Sequence, residues 1–434
     1  SAAEHAPLSD NIALADQAET YYTPPLINII KFACNACAEK RVYVTEGCQG
    51  CLAHPCVEVC PKKAVTLDRT NGRSVIDTEK CIKCGKCAEV CSYNAIIIQE
   101  RPCAKACGMD AIGSDENGKA EIDSEKCVSC GQCLVNCPFG AISDKSQIFQ
   151  VIRAMQSGER VYAALAPAFV GQFGAKVTPG KLRSAMKMLG FADIFEVAIG
   201  ADLCATQEAE DFVQEVPNKL PFMATSCCPA WSSMAKKLYP EYRECISMAL
   251  TPMTLTARLI KEQHQNAKVV FIGPCAAKKL EAMRKSVRSE VDFVLTFEEM
   301  MGIFEAKDID VASLTEEVEG INDASEDGRN FAVSGGVAQS VVNVIQERYP
   351  EREIKIANAE GLRDCRKLLM MAKAGKYNGY LLEGMGCPGG CVAGAGTMQS
   401  IKKSQNAVKK YAAQANHKNS NETEYVKELN KLVD

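Results

Sequence analysis

Cysteines follow three strand-like segments that lie far apart in this chain of 434 residues. The strings T-S-C-C-P-A-W, G-P-C-A-A-K-K-L-E and E-G-M-G-C-P-G-G-C occupy residues 225–231, 273–281 and 383–391. Each string comes directly after a short apolar run. Thiolates gathered from three strand ends favour a soft metal centre, and the Gly and Pro residues beside them let the backbone approach it closely. The sequence therefore predicts a cysteine-held metal site in the C-terminal two thirds of the chain.

The N-terminal third repeats one short unit. After Cys60, Cys91, Cys107 and Cys137, alanine stands four residues later and Val or Ile stands five residues later. Two of these segments have the bacterial ferredoxin spacing C-x2-C-x2-C-x3-C, and a third has a longer middle gap. Such spacing holds iron–sulfur cubanes, with the fourth cysteine serving the neighbouring cluster. The self-similarity indicates one small unit that is used several times.

Sixteen cysteines divide into four sets of four, which we interpret as two ferredoxin-like modules with two 4Fe–4S clusters each. Because Cys103 and Cys107 lack the first two cysteines of a motif, Cys34 and Cys37 are predicted to supply them from a distance. The alternative is that Cys34 and Cys37 are free thiols. The predicted sets are Cys48, Cys51, Cys56 and Cys91; Cys81, Cys84, Cys87 and Cys60; Cys127, Cys130, Cys133 and Cys107; and Cys34, Cys37, Cys103 and Cys137.

Composition narrows the class of protein. The chain has 24 cysteines, and no signal peptide is recognisable, so iron–sulfur ligation in a reducing cytoplasm is favoured over disulfides. The net charge of −4 gives no reason to expect nucleic acid binding, and no apolar run is long enough to span a membrane. The four histidines are scattered, which argues against a zinc site. We expect a cytoplasmic monomer.

Beyond residue 150 the pattern alternates between short apolar runs and helical stretches, which predicts an α/β fold with largely parallel sheets. The predicted fold class is therefore α+β ferredoxin-like modules followed by an α/β domain with largely parallel sheets, and the family resemblance given next implies that this domain is catalytic and two-lobed. The predicted boundaries are an N-terminal segment 1–33, the modules 34–147, the catalytic domain 148–400 and a helical tail 401–434. The predicted strands are 161–166, 193–199, 268–272, 291–296, 331–333, 353–357 and 379–382, and the predicted helices are 181–189, 208–216, 253–263, 337–347, 361–374 and 424–432.

The three strings resemble the active-site signatures of the iron-iron (FeFe) hydrogenases, in the order in which that family has them. The resemblance implies an H-cluster, a 4Fe–4S cubane joined to a di-iron azadithiolate unit with CO and cyanide ligands, held by Cys228, Cys275, Cys387 and Cys391. It implies that Cys227 is a free thiol that passes protons and that Lys278 and Glu281 support the site. Cofactor contacts are expected from Ala166, Pro167 and Met385. Cys204, Cys245 and Cys365 match no signature and are predicted to be buried apolar residues.

The family resemblance also implies a proton relay. The segment G-A-D-L-C-A-T-Q-E-A-E-D-F (200–212) places relay carboxylates at Glu208 and Asp211, and the relay serine falls on Ser247. The predicted order from solvent is Glu208, Ser247, Asp211 and Cys227. The alternative is that the two carboxylates form an exposed acidic helix face, and Glu215 stands where the family's relay has an arginine.

Several residues depart from the common family pattern. They are Ala168, Ala224, Ala230, Met253 and Gly273, where Ser, Phe, Gly, Gln and Met are usual. All would lie near the cofactor, where neighbouring groups tune potential and solvent access. We therefore expect a divergent subgroup that shares T-S-C-C-P-A-W, with a reaction balance that favours H2 uptake.

The predicted function is reversible oxidation of H2, with electrons passing through the 4Fe–4S clusters to or from ferredoxin or a similar soluble carrier. Maturation proteins would deliver the di-iron unit. No dinucleotide or flavin fingerprint is evident. The alternatives are a hydrogen-sensing protein with low turnover and a non-catalytic iron–sulfur assembly protein. The latter would be expected to lose Cys227, which this chain retains.

Overall fold

The computed structural model describes residues 26–283, 289–316 and 323–433, and the described chain forms two compact units. The smaller unit contains residues 29–123 and 136–143, and the larger unit contains 124–135 and 144–433 together with 26–28. The domain boundaries drawn from the sequence stay predictions, and most of the N-terminal segment 1–33 lies outside the described residues.

The smaller unit is built from short antiparallel strand pairs and single-turn helices. Arg41–Val44 pairs with Ile96–Gln99, Val65–Leu67 pairs with Ser74–Ile76, and Ile112–Ser114 pairs with Ala120–Ile122. Strands Ile27–Ile29 and Ile142–Asp144 lie at its limits. Its helices are Pro55–Glu58, Lys86–Glu89 and Pro102–Ala106, and the larger unit holds a fourth helix of this kind, Gln132–Val135.

Each of these four helices carries a buried cysteine at its second residue: Cys56, Cys87, Cys103 and Cys133. Each helix is followed by a further cysteine, which is Cys60, Cys91, Cys107 or Cys137. The residue three places after that cysteine has a left-handed backbone in all four repeats, with φ between 50° and 58° at Lys63, Asn94, Asp110 and Gly140. The repeat seen in the sequence is therefore a repeat of backbone geometry, as expected for ferredoxin-like modules.

The larger unit contains two parallel sheets. In the first, the strand order is Asp193–Glu196, Val161–Leu165, Lys268–Gly273 and Phe293–Thr296. In the second, Met223–Ala224, Tyr380–Met385 and Lys355–Glu360 lie in that order. A separate apolar core accompanies each sheet. The predicted two-lobed α/β fold with parallel sheets is confirmed.

Helices cover both sheets because each has an apolar face. Helix Leu362–Lys373, for example, buries Leu362, Cys365, Leu368 and Leu369 on one side. The α-helices of the larger unit are Ile148–Gln156, Pro179–Leu189, Val197–Glu215, Pro229–Leu238, Pro252–Gln263, Ala276–Met283, Phe297–Ala306, Glu326–Asn330, Gly336–Arg348, Leu362–Lys373, Ile401–Ala412 and Leu429–Val433. Short 3-10 helices are Pro167–Phe169, Pro240–Cys245, Val311–Ser313, Cys391–Ala393, Ser420–Glu422 and Glu424–Glu428.

Four predicted elements are wrong in extent or type. The strand predicted at 193–199 ends at Glu196, and a single helix, Val197–Glu215, replaces the short helix predicted at 208–216. Residues 331–333 form a turn between two helices, because Phe331 and Ala332 face a cavity instead of joining a sheet. A short apolar run does not by itself distinguish a strand from other buried backbone. The last predicted helix, 424–432, is a 3-10 turn followed by Leu429–Val433.

The C-terminal tail packs against the larger unit through a buried polar network. Tyr411 donates to Glu196 (2.8 Å), and Arg329 pairs with the same carboxylate (2.9 Å). Ser420 donates to the fully buried Asp202 (2.8 Å), which also accepts from the backbone of Ser325 (3.0 Å). These contacts attach the tail to helix Val197–Glu215 and its neighbours, so the tail is an integral part of the unit.

Candidate metal centres and active site

Backbone N–H groups point at the cysteines of the repeats in a regular pattern. The sulfurs of Cys60, Cys91 and Cys107 each accept from the backbone N–H of the alanine four residues later, at 3.2, 3.4 and 3.3 Å. The left-handed residue just before each alanine turns that N–H toward the sulfur. Hydrogen bonds of this kind favour the thiolate form that binds iron. This hydrogen bond explains the constant spacing between the cysteine and the alanine in each of these repeats.

The segment with Cys34 and Cys37 has the geometry of a motif opening. Cys34 accepts from the backbone N–H of Ala120 (3.4 Å), as Cys48 accepts from that of Ser74 (3.4 Å). Ala36 has φ 48°, close to the 55–58° of the residues two places after Cys48, Cys81 and Cys127. One cavity of the smaller unit is lined by Cys34, Cys37, Cys103 and Cys137. This is the fourth set predicted from the sequence, and its role as a cluster site is taken up below as a proposal.

A second cavity of the smaller unit is lined by Cys60, Cys81, Cys84 and Cys87. Cys56 lies 3.2 Å from the hydroxyl of Ser74, whose backbone bonds Cys48, and Cys56 and Cys91 share an apolar cluster. The structure therefore brings together two predicted sets and parts of a third. Cys107 lies in the smaller unit and Cys127, Cys130 and Cys133 lie in the larger one, so that set stays a prediction.

In the larger unit, five cysteines line one apolar cavity. Cys227 and Cys228 follow strand Met223–Ala224, and Cys275 follows Lys268–Gly273. Cys387 and Cys391 follow strand Tyr380–Met385. The three signature strings thus meet at the carboxyl ends of parallel strands, where sites in such sheets lie. Lys278 is the one charged side chain among the residues that line this cavity.

Small residues let the backbone close around this cavity. A side-chain carbon at Gly390, whose φ is 94°, would lie 2.6 Å from the backbone of Ser334, and one at Gly384 would lie 2.2 Å from Trp231. Trp231 is fully buried and donates to the carbonyl of Thr225 (2.9 Å), which fixes the turn that carries the cysteine pair. Gly386 donates its N–H to the sulfur of Cys228 (3.3 Å). A side-chain carbon at Gly386 would lie 3.1 Å from that of Ala230 and 3.4 Å from the Cys228 sulfur, so glycine gives this backbone room to approach the sulfur.

The thiols of the cavity need a cationic partner to ionise. Burial raises the pKa of Cys275 to about 11, and the neighbouring Cys228 adds to the shift. Burial also raises the pKa of Cys387 and of Cys227 well above the usual value. Metal ions bind thiolates and release their protons. Four soft donors around an apolar cavity lined in part by glycine therefore fit an iron–sulfur group, and the fifth thiol remains beside it.

Lys278 is held in the cavity wall by an acidic partner. Its ammonium lies 2.7 Å from Glu281, and Glu281 also accepts from Thr251. Burial lowers the pKa of Lys278, whereas the Glu281 carboxylate raises it, and the net shift is upward. Lys278 is therefore a fixed hydrogen-bond donor that stays charged near neutral pH. Glu281 lies outside the cavity lining and positions the lysine.

The structure reverses the predicted order of the relay carboxylates. Glu208 is fully buried, accepts from the backbone of Ser226 (3.3 Å) and from the Ser247 hydroxyl, and lies close enough to Cys227 to raise the pKa of that thiol further. Asp211 is partly exposed one turn along the same helix. Glu208, which the sequence placed nearest to solvent, is therefore the deeper of the two carboxylates on helix Val197–Glu215.

Burial raises the pKa of Glu208 to about 7, and hydrogen bonds from Ser247 and Ser226 act against this shift. Its second carboxylate oxygen has no hydrogen-bond partner among the described residues, nor has the hydroxyl of Thr225. A carboxyl that titrates near neutral pH and has an unsatisfied oxygen suits proton exchange. Burial also raises the pKa of Asp211.

The comparisons with known proteins agree with this geometry. Residues 159–395 match the family model described as the iron-only hydrogenase large subunit, C-terminal domain. This chain belongs to the iron-only hydrogenase family. Residues 74–97 match a 4Fe-4S binding domain, and residues 97–148 match the LdpA Fe-S cluster-binding domain. The family assignment made from the three cysteine strings is confirmed.

Curated relatives support the same assignment. The chain is 30% identical to iron hydrogenase 1 of Clostridium pasteurianum over 384 residues, which are 77% of this chain and 66% of the relative. It is 29% identical to the periplasmic Fe hydrogenase large subunit of Nitratidesulfovibrio vulgaris, covering 54% of this chain and 65% of the relative. This hydrogenase-family chain thus spans about two thirds of the length of each of these two relatives.

Solved structures show the same fold. An apo FeFe-hydrogenase variant from Chlamydomonas reinhardtii superposes with a TM-score of 0.56 at 22% identity, covering 66% of this chain and 94% of that chain. The family fold and the cluster-binding matches make this an H-cluster type of protein with further iron–sulfur clusters. In the described part of the chain, no helix is long and apolar enough to cross a membrane.

The remaining predicted contact residues of this iron-only hydrogenase line the cavity, as do two of the five departures from the family pattern, whereas Ala224, Ala230 and Gly273 lie outside its lining. Ala166, Pro167 and Met385 are lining residues, and so are Ala168 and Met253. A side chain at Gly273 would lie 2.5 Å from the Phe271 ring, which itself lines the cavity. Phe271 therefore takes the space that a larger residue at 273 would need.

Sequence reasoning missed two residues that support the site. Gln132, between two cysteines of the last ferredoxin-like motif, donates to the sulfur of Cys387 at 3.6 Å across 255 residues of sequence. No local pattern could indicate that contact. Thr251 caps helix Pro252–Gln263 and donates to Glu281. The capping role of Thr251 could be predicted from the Thr-Pro pair at a helix start. Its hydrogen bond to Glu281 could not.

Proposed function

We propose that the protein interconverts H2 with two protons and two electrons. The observation that carries the proposal is the meeting of all three signature strings around one buried cavity, with five thiols and one charged side chain, Lys278. Cys228, Cys275, Cys387 and Cys391 would hold the H-cluster, which supplies the di-iron site of the reaction when bound. Relatives of the family carry names that state hydrogenase activity, which supports the same conclusion.

The proton side of the reaction rests on four residues of this chain. Cys227 would exchange protons at the cavity wall, because its thiol lies beside the cofactor space without being needed as a ligand. Glu208 would take or return the proton, with Ser247 as its hydrogen-bond partner and Asp211 toward solvent. Groups that titrate near the working pH transfer protons efficiently in both directions.

The electron side rests on the ferredoxin-like cysteines. Cys130 lies near enough to Cys387 to raise the pKa of that thiol, and Gln132 bonds the same sulfur. A cluster held by Cys127, Cys130 and Cys133 would thus adjoin the catalytic cavity. We propose four 4Fe–4S clusters besides the cubane of the H-cluster, with a ferredoxin or similar soluble carrier as the partner, a cytoplasmic location, and maturation proteins as the source of the di-iron unit.

One experiment tests this function directly. The chain is produced with maturation proteins, and infrared spectra are recorded together with protein-film voltammetry under H2. The expected result is bands from metal-bound CO and cyanide together with catalytic currents. Absence of the bands in iron-loaded protein would contradict an H-cluster and favour a non-catalytic iron–sulfur role.

A hydrogen sensor with low turnover is the second candidate. It is supported by the apolar cavity wall, where Ala168 and Met253 stand in place of the hydrogen-bonding residues usual in the family. The same measurement separates the two candidates. A sensor would show the infrared bands and a response to H2 but little catalytic current, whereas the proposed enzyme shows both bands and current.

A further inference from the structure

One cysteine differs from all others in exposure. Among the 24 cysteines, all of which lie in the described part of the chain, only Cys84 is exposed. It lines the cavity of the smaller unit that Cys60, Cys81 and Cys87 also line. A cluster held there would have one edge at the protein surface, where an external electron carrier can approach it.

The sequence around this cavity is basic, although the whole chain has a net charge of −4. Residues 60–67 and 80–87 contain five lysines and no Asp or Glu. Of the other cysteine segments, 34–37, 48–56 and 127–137 contain no Lys, Arg, Asp or Glu, and 103–107 contains one lysine, Lys105. Positive charge is thus concentrated at the one predicted cluster site whose cysteine is exposed.

Most of these lysines are available to a partner. Lys80 pairs with Asp77 (3.0 Å), whereas Lys62, Lys63, Lys83 and Lys86 are exposed and form no ion pair with any described residue. Lys62 and Lys86 line the cavity itself. Ile82, also a lining residue, is 55% exposed. An exposed apolar side chain within a rim of charges has the composition of a protein-binding surface.

We propose that this surface, which we call the Cys84 face (Lys62, Lys63, Ile82, Lys83, Cys84 and Lys86), docks a small acidic electron-transfer protein of the ferredoxin class. The proposal rests on the proposed function and adds the place at which the carrier binds. Complementary charge steers such partners and raises their association rate, and the effect weakens as salt screens it. Each encounter transfers one electron between the carrier's cluster and the cubane, so one H2 requires two encounters.

A binding experiment isolates docking from turnover. The probe is a small acidic ferredoxin in which gallium replaces iron, and its affinity for the matured full-length protein is measured at low and at moderate salt. The test variant is Lys62→Glu/Lys86→Glu. The matched control is Lys403→Glu/Lys410→Glu, which changes the net charge equally at a groove of the larger unit that is also lined by lysines.

The Lys62→Glu/Lys86→Glu variant is expected to bind about tenfold more weakly at low salt, with a smaller difference at moderate salt. The control is expected to change affinity by less than about twofold. If the test variant loses iron, Lys62→Gln/Lys86→Gln replaces it and should show an intermediate loss. Equal weakening in both variants, a larger loss in the control, or no binding by the unaltered protein would overturn the proposed site.

A second readout distinguishes this proposal from the proposed function. Reduction of methyl viologen by H2 needs no protein docking, so it is measured on a second double variant, Lys63→Glu/Lys83→Glu, whose lysines belong to the Cys84 face but do not line the cluster cavity. This variant should bind ferredoxin more weakly and reduce the dye at the rate of the unaltered protein. If the unaltered protein reduces no dye but binds ferredoxin at the Cys84 face, the proposed function fails and the docking site stands. If the dye is reduced and the lysine variant binds normally, the function stands and the docking site fails.

Discussion

Cys227 differs from the four neighbouring thiols because it lies next to Glu208, the buried carboxyl whose pKa is about 7. We therefore predict that Cys227→Ala retains the iron content and cofactor spectra of the unaltered protein but loses turnover by about 10²–10⁴-fold, the usual contribution of a general acid–base group. Iron analysis, infrared spectra and H2 oxidation assays check this. Cys228→Ala is the matched comparison and should lose the cubane. If the two variants exchange these phenotypes, the roles of the adjacent cysteines have been misassigned.

Gln132 is predicted to tune the potential of the H-cluster cubane, which Cys387 would help to hold in the catalytic cavity. Its side-chain N–H donates to the sulfur of Cys387, and such bonds stabilise the more negative, reduced state of a cluster. Gln132→Leu is therefore expected to lower the reduction potential of that cubane without changing iron content. Redox titration followed by electron paramagnetic resonance, on protein without the di-iron unit, measures the shift. Gln339→Leu on an exposed helix face is the control, and an equal shift there or no shift at Gln132 would contradict the assignment.

At Gly273 the sequence shows an unusual residue but not how the structure fills the space beside it. The sequence shows a small residue where the family usually has Met, and it predicts altered packing near the cofactor. The structure shows that the ring of Phe271 fills the space beside Gly273 and lines the cavity. A neighbour two residues away thus compensates for part of the missing volume, and only three-dimensional packing could reveal this.

Helix Val197–Glu215 would carry two carboxylates of the proposed proton relay, one in the interior and one near the surface. Glu208 is fully buried on this helix and Asp211 is partly exposed. Water can replace a group at the surface but not one in a sealed interior. Glu208→Gln is therefore expected to reduce turnover by about 10²-fold or more, and Asp211→Asn by less than about tenfold. H2 oxidation rates of both variants, with iron content as the control, test this, and a larger loss for Asp211→Asn would restore the order predicted from the sequence.

The tail is tied down by the hydrogen bond from Tyr411 to Glu196 (2.8 Å). Burial raises the pKa of Glu196 to about 7, so losing this donor leaves a buried carboxyl with fewer partners. Tyr411→Phe should lower the free energy of unfolding by about 1–2 kcal/mol, the usual cost of a buried hydrogen bond to an ionisable group. The temperature of thermal unfolding should fall accordingly. Tyr349→Phe, at an exposed position, is the control and should leave it unchanged.

Helices and strands whose apolar residues follow a simple period could be predicted from the sequence. The burial of polar side chains by distant parts of the chain could not. The strands that precede the cysteine strings are continuous apolar runs, and the structure places strands there. The start of helix Val197–Glu215 was missed because its first three turns are buried almost all round, so they show no amphipathic period. The relative burial of Glu208 and Asp211 was predicted wrongly, because the sequence gives their spacing but not which of them faces solvent, and the relay itself stays a prediction.

For the whole molecule, the number of predicted cluster sets can be tested by measuring the iron content of the protein. The strongest new support concerns Cys34 and Cys37, which share the backbone geometry of a motif opening and line one cavity with Cys103 and Cys137. Ala36 has a left-handed backbone (φ 48°), and Cys34 accepts a hydrogen bond from a backbone N–H of a strand, as Cys48 does. Two unrelated free thiols would require neither feature.

We therefore predict that protein reconstituted without the di-iron unit binds five cubanes, about 20 iron atoms per chain, since each cubane takes four cysteines. Cys34→Ser/Cys37→Ser should lose about four iron atoms and one cluster signal, because two of the four ligands of one cubane are removed. Iron analysis and Mössbauer spectra measure both values. Cys245→Ser is the matched control, since this buried cysteine lines none of the three cysteine-rich cavities described above, and its iron content should stay unchanged. An iron content of about 16 in the unaltered protein, with Cys34 and Cys37 open to alkylation in the folded state, would show that this cavity holds no cluster.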